Sequence, residues 1–538
     1  LTDDSPNPLR RDLPGWAALL LMCCVAIVVA MLSTRWGVAT SSDSARYVRT
    51  ARHILGTEAI VESDEPKHEQ AHYPPFYPTM LAAAGMMTGR DPLAAARWLH
   101  VVIFAGNTLL TGLLAWRLSG RAWTAALAAG IVALSPVTVF MHAWLLSEAL
   151  FILLSLVCLL LLSMHLERPR RALLIASAIA ASLGMLTRYA GAATAPAAVA
   201  ALFLLSHQPL RRRVIDAIVF CAVMFVLPGV WFLRNLHVGG SATNRTIAFH
   251  PISLEHLKDG VASVASWVLP FGIDRPRVSA NTHPIIAALA VILFIAIFVG
   301  AIWMARRRRD RLGVGAGLLA LFSVSFIALL AISISLVDFH TPADTRVLSP
   351  VFVAWVVLAT CTLAWAAERV RKPARCIMIA LVVIYAAICV WPSVETIRTL
   401  RRDGGGFAHA MWRKSPVIEA VRQLPPDLQI FTNAPGVVYL LTGRQMLLTV
   451  PSEISASSRL PNPEYPALME KISAELSARR GVLVYLRKYG ARRAYYPRED
   501  ELQRRLGLHM LENRSDGAIY DLLAPPPTTT RAATAPAR

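Results

Sequence analysis

Charge is scarce in this chain. Of its 538 residues only 16% are Asp, Glu, Lys or Arg, while 55% are hydrophobic. A soluble domain typically carries about 25% charged residues, so the shortage excludes an ordinary soluble globule and indicates a chain that crosses a membrane many times. Acids are the scarcer sign: 34 Asp and Glu against 54 Lys and Arg leave a formal net charge of +20. Such an excess can serve nucleic acid. Here, however, most basic clusters occupy short links between apolar runs, where the positive-inside rule puts them. Membrane lipid is the expected partner, and nucleic acid is not. The seven cysteines all lie in or beside apolar segments, so no disulfide framework is implied. An internal repeat, a phosphate-binding Gly-rich loop, a His-Glu-x-x-His and a Cys pair at zinc spacing are all missing.

What is present is a succession of apolar runs. The first, Trp16 to Leu32 behind Arg10 and Arg11, has the look of a signal peptide without a small-residue cleavage site, and reads as an uncleaved anchor. Ten more runs follow between Leu93 and Trp391, several of them near the roughly 20 residues that a crossing needs. The run from Leu173 to Leu205 is interrupted only by Thr187-Arg188-Tyr189 and reads as a helical hairpin. The expectation is an α-helical polytopic membrane protein of about eleven transmembrane helices.

Basic residues occupy every second connection: Arg10/Arg11, Arg117/Arg121, Arg168/Arg170/Arg171, Arg211–Arg213, Arg306–Arg311 and Arg369–Arg375. This alternation places the N-terminus in the cytoplasm. The loop after the first run, the Arg188 turn, the segment between Asn235 and His283, the Asp338–Arg346 turn and the C-terminal region then share the outer face. The expected organisation is a membrane domain over 1–392 with an extracytoplasmic loop at 36–91, and a small extracytoplasmic α/β domain over 393–523. A Pro/Thr-rich tail over 524–538 is expected to be disordered. Within 393–523, Gln429–Thr432, Met446–Val450, Gly481–Leu486 and Ala518–Leu522 read as strands, and Phe407–Leu424 and Glu464–Arg479 as helices.

Charges at the ends of apolar runs are costly and raise the prior for function. Ser41-Ser42-Asp43 starts a short amphipathic helix that Gly56 stops, with Asp43 in its first turn and Tyr47 on its apolar face. Asp43 could simply cap that helix. Glu148 stands at the outer end of one run, Arg188 and Tyr189 in a tight turn, and Asp344 and Arg346 just before another run. Facing carboxylates and guanidiniums allow two readings, an inter-helix salt bridge or an Arg fork around a phosphate with a carboxylate opposite as base. The segment His72-Tyr73-Pro74-Pro75 is stiffened by its prolines and would aim His72 or Tyr73 rigidly. Glu62, Asp64, Glu65, His68, Glu69 and His72 could take a divalent cation, although their irregular spacing specifies no geometry and a solvated loop is the better reading.

Taken in order, SSDSARYVRTARHIL, HYPPFYPTMLAAAG, LLSEALFILL, LGMLTRYAGAATAPA, DTRVLSPVFVAW and FTNAPGVVYLLTGRQ resemble the GT-C class of integral-membrane glycosyltransferases. The resemblance is to the bacterial branch related to protein O-mannosyltransferases and the lipid A aminoarabinose transferase. It implies transfer of a sugar from a polyprenyl-phosphate donor to an extracytoplasmic acceptor hydroxyl on an unidentified envelope glycolipid, polysaccharide or protein. It further implies that Asp43 is the catalytic carboxylate. Arg188 and Arg346, with His72 and Tyr73, would meet the donor phosphate and lipid. Tyr47, Glu148, Tyr189 and Asp344 would line the pocket. No metal ligand is assigned. The sequence departs from the family at two points: Ser44 follows Asp43 where eukaryotic-type members carry Asp-Glu, and Tyr73 stands where aminoarabinose transferases tend to have Lys. A transporter or flippase of a lipid-linked substrate, and a non-enzymatic envelope-binding protein, are the competing readings.

Overall fold

The computed structural model describes residues 8–57, 73–243, 247, 249–268, 284–339, 341–454, 461–478, 480–490 and 496–522. The expected loop acids, His68, His72 and the tail 524–538 lie outside the described residues. Contacts divide the chain into two compact units that meet between Ala408 and His409. The sequence reading ends the last apolar run near Trp391, but its helix continues through Pro392 to Asp403.

In the first unit α1 (Pro8–Ser33) leads through an extended strap to α2 (Ser42–Ile54). After the Pro74-Pro75 pair come α3 (Phe76–Thr88), α4 (Pro92–Ser119), α5 (Ala122–Leu134) and α6 (Pro136–Ala143). Then follow α7 (Glu148–Glu167), α8 (Arg171–Thr187), a 3-10 turn at Tyr189–Ala193 and α9 (Thr194–Leu204). The unit closes with α10 (Leu210–Gly239), α11 (Leu254–Val268), α12 (Pro284–Arg307), α13 (Arg311–Leu336), α14 (Ser349–Arg369) and α15 (Lys372–Asp403).

All eleven expected runs are helical, but the count of eleven crossings is not what length and apolarity support. Among the described residues eight helices are long and apolar enough to cross a membrane, nine if α5 and α6 form one span bent by 58°. The bend follows from Pro136, which has no N–H to continue the helix past Ser135. α8 and the 3-10–α9 element are apolar but shorter than the eight spans. α7 and α14 are the most buried of the spans, and α1, α10 and α12 expose most of theirs. Close approach near the start of the bundle depends on Gly112 of α4. A Cβ there would stand 2.5 Å from Leu19 Cδ1 and 2.9 Å from the Ala125 carbonyl oxygen.

The basic connections gather at one end of this unit. Arg117 Nη2 and Arg311 Nε lie 2.8 and 3.3 Å from Glu167, and Arg121 Nη2 lies 2.7 Å from Glu368. At the opposite end the strap before α2 is pinned on both sides. Ala39 N–H donates to the Ala143 carbonyl and the Ala39 carbonyl accepts from Leu145 N–H, both at 2.8 Å, while Phe407 N–H donates to Thr40 O at 2.9 Å. Gly406 adopts φ +53° to let that approach occur, since a Cβ would fall 2.0 Å from Thr40 O.

The second unit opens with α16 (Ala410–Arg413) and α17 (Pro416–Gln423), separated at Ser415-Pro416 where the sequence reading runs one helix. Its five-stranded sheet has order β2-β1-β3-β5-β4, formed by β1 (Gln429–Thr432), β2 (Leu447–Thr449), β3 (Gly481–Leu486), β4 (Leu508–Arg514) and β5 (Gly517–Leu522). β2, β1 and β3 are parallel, and β5 pairs antiparallel with both β3 and β4. Helices α18 (Pro435–Thr442), α19 (Tyr465–Ser477) and α20 (Glu499–Leu506) complete it, and Phe431, Leu476, Leu483, Leu502 and Tyr520 form its core.

Candidate active site

The site assembles at the strap end of the helical unit. Ser41 starts α2 with a capping box: its Oγ accepts from Ser44 N–H, and Ser44 Oγ accepts from Ser41 N–H at 2.9 Å. Ser44 Oγ also donates to the Leu145 carbonyl at 2.8 Å, fixing α2 against the segment before α7. The cap is therefore Ser41, and the Asp43 carboxylate is left for other contacts.

Those contacts come from far along the chain. Tyr73 Oη donates to Asp43 Oδ1 at 2.9 Å and accepts from Arg46 Nη1 at 3.2 Å. Arg346 Nη1 stands 3.4 Å from Asp43 Oδ2, and Arg346 Nε stands 3.3 Å from Glu148 Oε1. Arg188 Nη1 lies 2.8 Å from the same Glu148 oxygen and donates to Ser147 Oγ at 3.1 Å. Two carboxylates and two guanidiniums thus form one continuous cluster, with Arg346 bridging the acids. Glu148 is its buried member, 1% exposed at the first turn of α7. Asp43 and Arg346 remain about three-tenths exposed at 30% and 28%, so the cluster is open to a ligand.

The electrostatics follow from this geometry. Burial pushes the Asp43 carboxyl up, but Arg346, the Tyr73 hydrogen bond, Arg46 and Arg188 together hold it below the usual carboxylate range. Burial and the charge of Asp43 push the Tyr73 phenol up to about 12. Burial likewise raises Tyr47, helped by Asp43. The Arg346 guanidinium, with Glu148, Asp43 and Asp344 about it, is held charged despite its burial. Burial raises the Asp344 carboxyl against the pull of Arg346.

Of the residues singled out in the sequence, Asp43, Tyr73, Arg188, Glu148 and Arg346 come together. Tyr47 joins them through Ser147, with the two hydroxyl oxygens 3.2 Å apart, and its ring meets Tyr73 and Tyr77 edge-on. Asp344 is placed beside Arg346, but its Oδ1 accepts from Val347 N–H at 3.0 Å, so it shapes the turn into α14. Tyr189 faces α10: its hydroxyl accepts from Trp231 Nε1 at 3.1 Å and its ring packs on Phe232. His72 lies outside the described residues. Among the described residues no group of three or more His, Cys, Asp or Glu could hold a metal ion.

Three features escaped the sequence reading. Arg46 supports Tyr73, and Ser147 links Tyr47 to Arg188. Behind them runs a buried polar chain in which Tyr77 Oη meets His100 Nε2 at 2.7 Å and His100 Nδ1 meets the His142 carbonyl at 3.0 Å. Since a carbonyl only accepts, His100 carries its proton on Nδ1 and takes one from Tyr77 at Nε2. By the same logic His142 donates from Nδ1 to Thr138 O at 2.7 Å and accepts from Asn107 Nδ2 at 2.8 Å. The signal was the spacing of His100 and Asn107, seven residues apart on one face of a mainly apolar helix.

Comparison with known proteins agrees with this architecture. Residues 72–232 match the family model of dolichyl-phosphate-mannose-protein mannosyltransferase. No curated protein matches the sequence. Among solved structures, ArnT from Cupriavidus metallidurans bound to undecaprenyl phosphate superposes with TM-score 0.60 at 15% identity, covering 95% of this chain and 99% of its own. The archaeal oligosaccharyltransferase AglB from Archaeoglobus fulgidus, in complex with an inhibitory peptide and a dolichol-phosphate, gives TM-score 0.54 at 12% identity, over 88% of this chain and 70% of its own. The arabinofuranosyltransferase AftD from Mycobacteria gives 0.53 at 16% identity, over 94% of this chain and 40% of its own. The matched family and these three structures are GT-C glycosyltransferases, and the resemblance carried by the six motifs is borne out: the chain has the GT-C fold.

Proposed function

We propose that this GT-C fold transfers a sugar from a polyprenyl-phosphate donor to an acceptor hydroxyl at the Asp43 end of the helices, the extracytoplasmic side of a bacterial plasma membrane. The observation that carries the reading is the cluster in which Arg346 bridges Asp43 and Glu148 while Arg188 holds Glu148 from the other side. The family match and the neighbours with undecaprenyl phosphate and dolichol-phosphate bound support the donor class.

In the reaction the acceptor oxygen bonds to the anomeric carbon as the bond from that carbon to the phosphate oxygen breaks. The polyprenyl phosphate leaves with the electron pair, and the acceptor proton passes to Asp43. Arg188 and Arg346 are the cations for the departing phosphate, whose growing charge they stabilise best in the transition state. Arg346 has two roles in this scheme. In the empty site it neutralises Asp43 and lowers its basicity. A donor phosphate that draws Arg346 toward itself frees the carboxylate and makes it a better base, so the base is activated only when donor is present. Tyr73 holds one Asp43 oxygen, leaving the other toward Arg346 and the acceptor.

The test is transfer by the full chain in proteoliposomes loaded with polyprenyl-phosphate sugar. Asp43→Asn is expected to lower turnover by about 10²- to 10⁴-fold, the usual worth of a positioned base. Near-normal turnover in that variant would remove Asp43 from the chemistry. Mass spectrometry of envelope glycans from cells with and without the gene identifies sugar and acceptor.

A further inference from the structure

A second polar feature lies at the same end of the helical unit as Asp43. The turn after α1 and the last turns of α15 form an open, solvent-facing cavity of about 460 Å³ lined by Arg35, Glu395, Arg398, Thr399, Arg401 and Arg402. Arg402 is held by Asp403 at 2.8 Å. Arg35, Arg398 and Arg401 make no salt bridge with a carboxylate among the described residues. Four guanidiniums against the carboxylates of Glu395 and Asp403 leave a charge of +2 around one cavity. Basic residues in a last helical turn offset the helix dipole, which accounts for Arg401 and Arg402. It does not account for Arg35, which belongs to a different segment, or for Arg398, which stands five residues before the helix ends.

The surroundings set the depth of this cavity. The Trp36 indole donates to the carbonyls of Arg401 and Arg402 at 3.1 and 3.2 Å, tying the turn after α1 to the end of α15. The Arg35 guanidinium is 5.4 Å from the Trp36 ring centroid, and the Arg398 guanidinium 5.9 Å from that of Trp391. Both tryptophans are exposed, at 43% and 66%. Trp36 follows the end of α1, and Trp391 closes the apolar stretch of α15; exposed tryptophans at such positions mark headgroup level, and guanidinium forks match phosphate oxygens.

We propose that this cavity is a second phosphate site, which takes the headgroup of an anionic phospholipid from the leaflet on the Asp43 side and is separate from the donor site. It stands independently of the transfer reaction. Its consequence for the fold is local: a bound headgroup joins α1 to α15 beneath the strap that runs on into the Ser41 cap.

The experiment uses the full chain in nanodiscs containing a photoreactive phosphatidylglycerol, with cross-links mapped by peptide mass spectrometry. Cross-links are expected on peptides carrying Arg35 to Trp36 and Trp391 to Arg402. They should fall about tenfold in the Arg398→Gln/Arg401→Gln double variant, as two charge-assisted hydrogen bonds are lost. Cross-links elsewhere on the chain should be unchanged, which separates a lost site from a lost fold. Retention in Asp43→Asn and Arg188→Ala would confirm independence from the donor site. Unchanged labelling of 391–402 in the double variant overturns the site. Displacement of the lipid by inorganic phosphate alone would overturn the lipid assignment in favour of a free anion.

Discussion

Replacing Arg346 by Gln tests the coupling at the centre of the site. Its Nη1 is 3.4 Å from Asp43 Oδ2. Two unit charges at that separation interact by about 5 kcal/mol at an effective dielectric of about 20. With the two side chains 28% and 30% exposed, solvent reduces this to about 1–2 kcal/mol. Losing the guanidinium removes this stabilisation of the charged form and so raises the Asp43 pKa. The direction follows from the folded value lying below the ordinary carboxylate range. The wild-type carboxylate stays ionised as pH falls through that range, and its contribution to stability is lost only at lower pH. In the variant both losses begin at higher pH. The assay is kcat/KM for transfer against pH, which reports the free enzyme. The acid limb is expected to move to higher pH, whatever happens to the height of the plateau. An acid limb that stays in place in a folded variant would refute the ion pair as the control on Asp43.

Other outcomes follow from the same geometry. Tyr73→Phe removes one hydrogen bond to Asp43 Oδ1 and one from Arg46; a loss of about 1 kcal/mol, or roughly fivefold in kcat/KM, is expected in the proteoliposome assay. Arg188→Ala should weaken binding of polyprenyl phosphate by at least about tenfold in a lipid-binding assay, and an unchanged affinity would count against its place in the phosphate site. Glu148→Gln leaves two guanidiniums facing one carboxylate and should destabilise the chain by about 3 kcal/mol, read as a lower thermal midpoint in detergent. Asn107→Ala leaves the buried His142 Nε2 without its donor and should cost about 1–3 kcal/mol by the same measurement, with little effect on donor affinity.

Much of this protein was legible one segment at a time. The apolar runs specified the helices, because roughly 20 consecutive apolar residues have few other fates. Ser41 to Asp43 and Gly56 marked the ends of α2, since capping and left-handed termination depend on neighbours in the chain. The alternation of basic links put Asp43, Glu148, Arg188 and Arg346 at one end of the bundle before any packing was known. The β4 edge strand and the short α18 and α20 were missed: LHMLENR exposes most of its residues and shows no alternation to read.

Which acid meets which base was decided only by tertiary structure. The sequence offered an inter-helix salt bridge; the fold pairs Glu148 with Arg188 and adds Arg346 to both Glu148 and Asp43, the latter 303 residues away. Such distances depend on how each helix is rotated about its axis and how closely Gly112 and its neighbours let the helices approach. The 58° bend at Ser135-Pro136 brings His142 beside His100 and Asn107, a contact that no local spacing encodes. Local chemistry named the participants, and packing set their separations, on which the strength of every charge in the site depends.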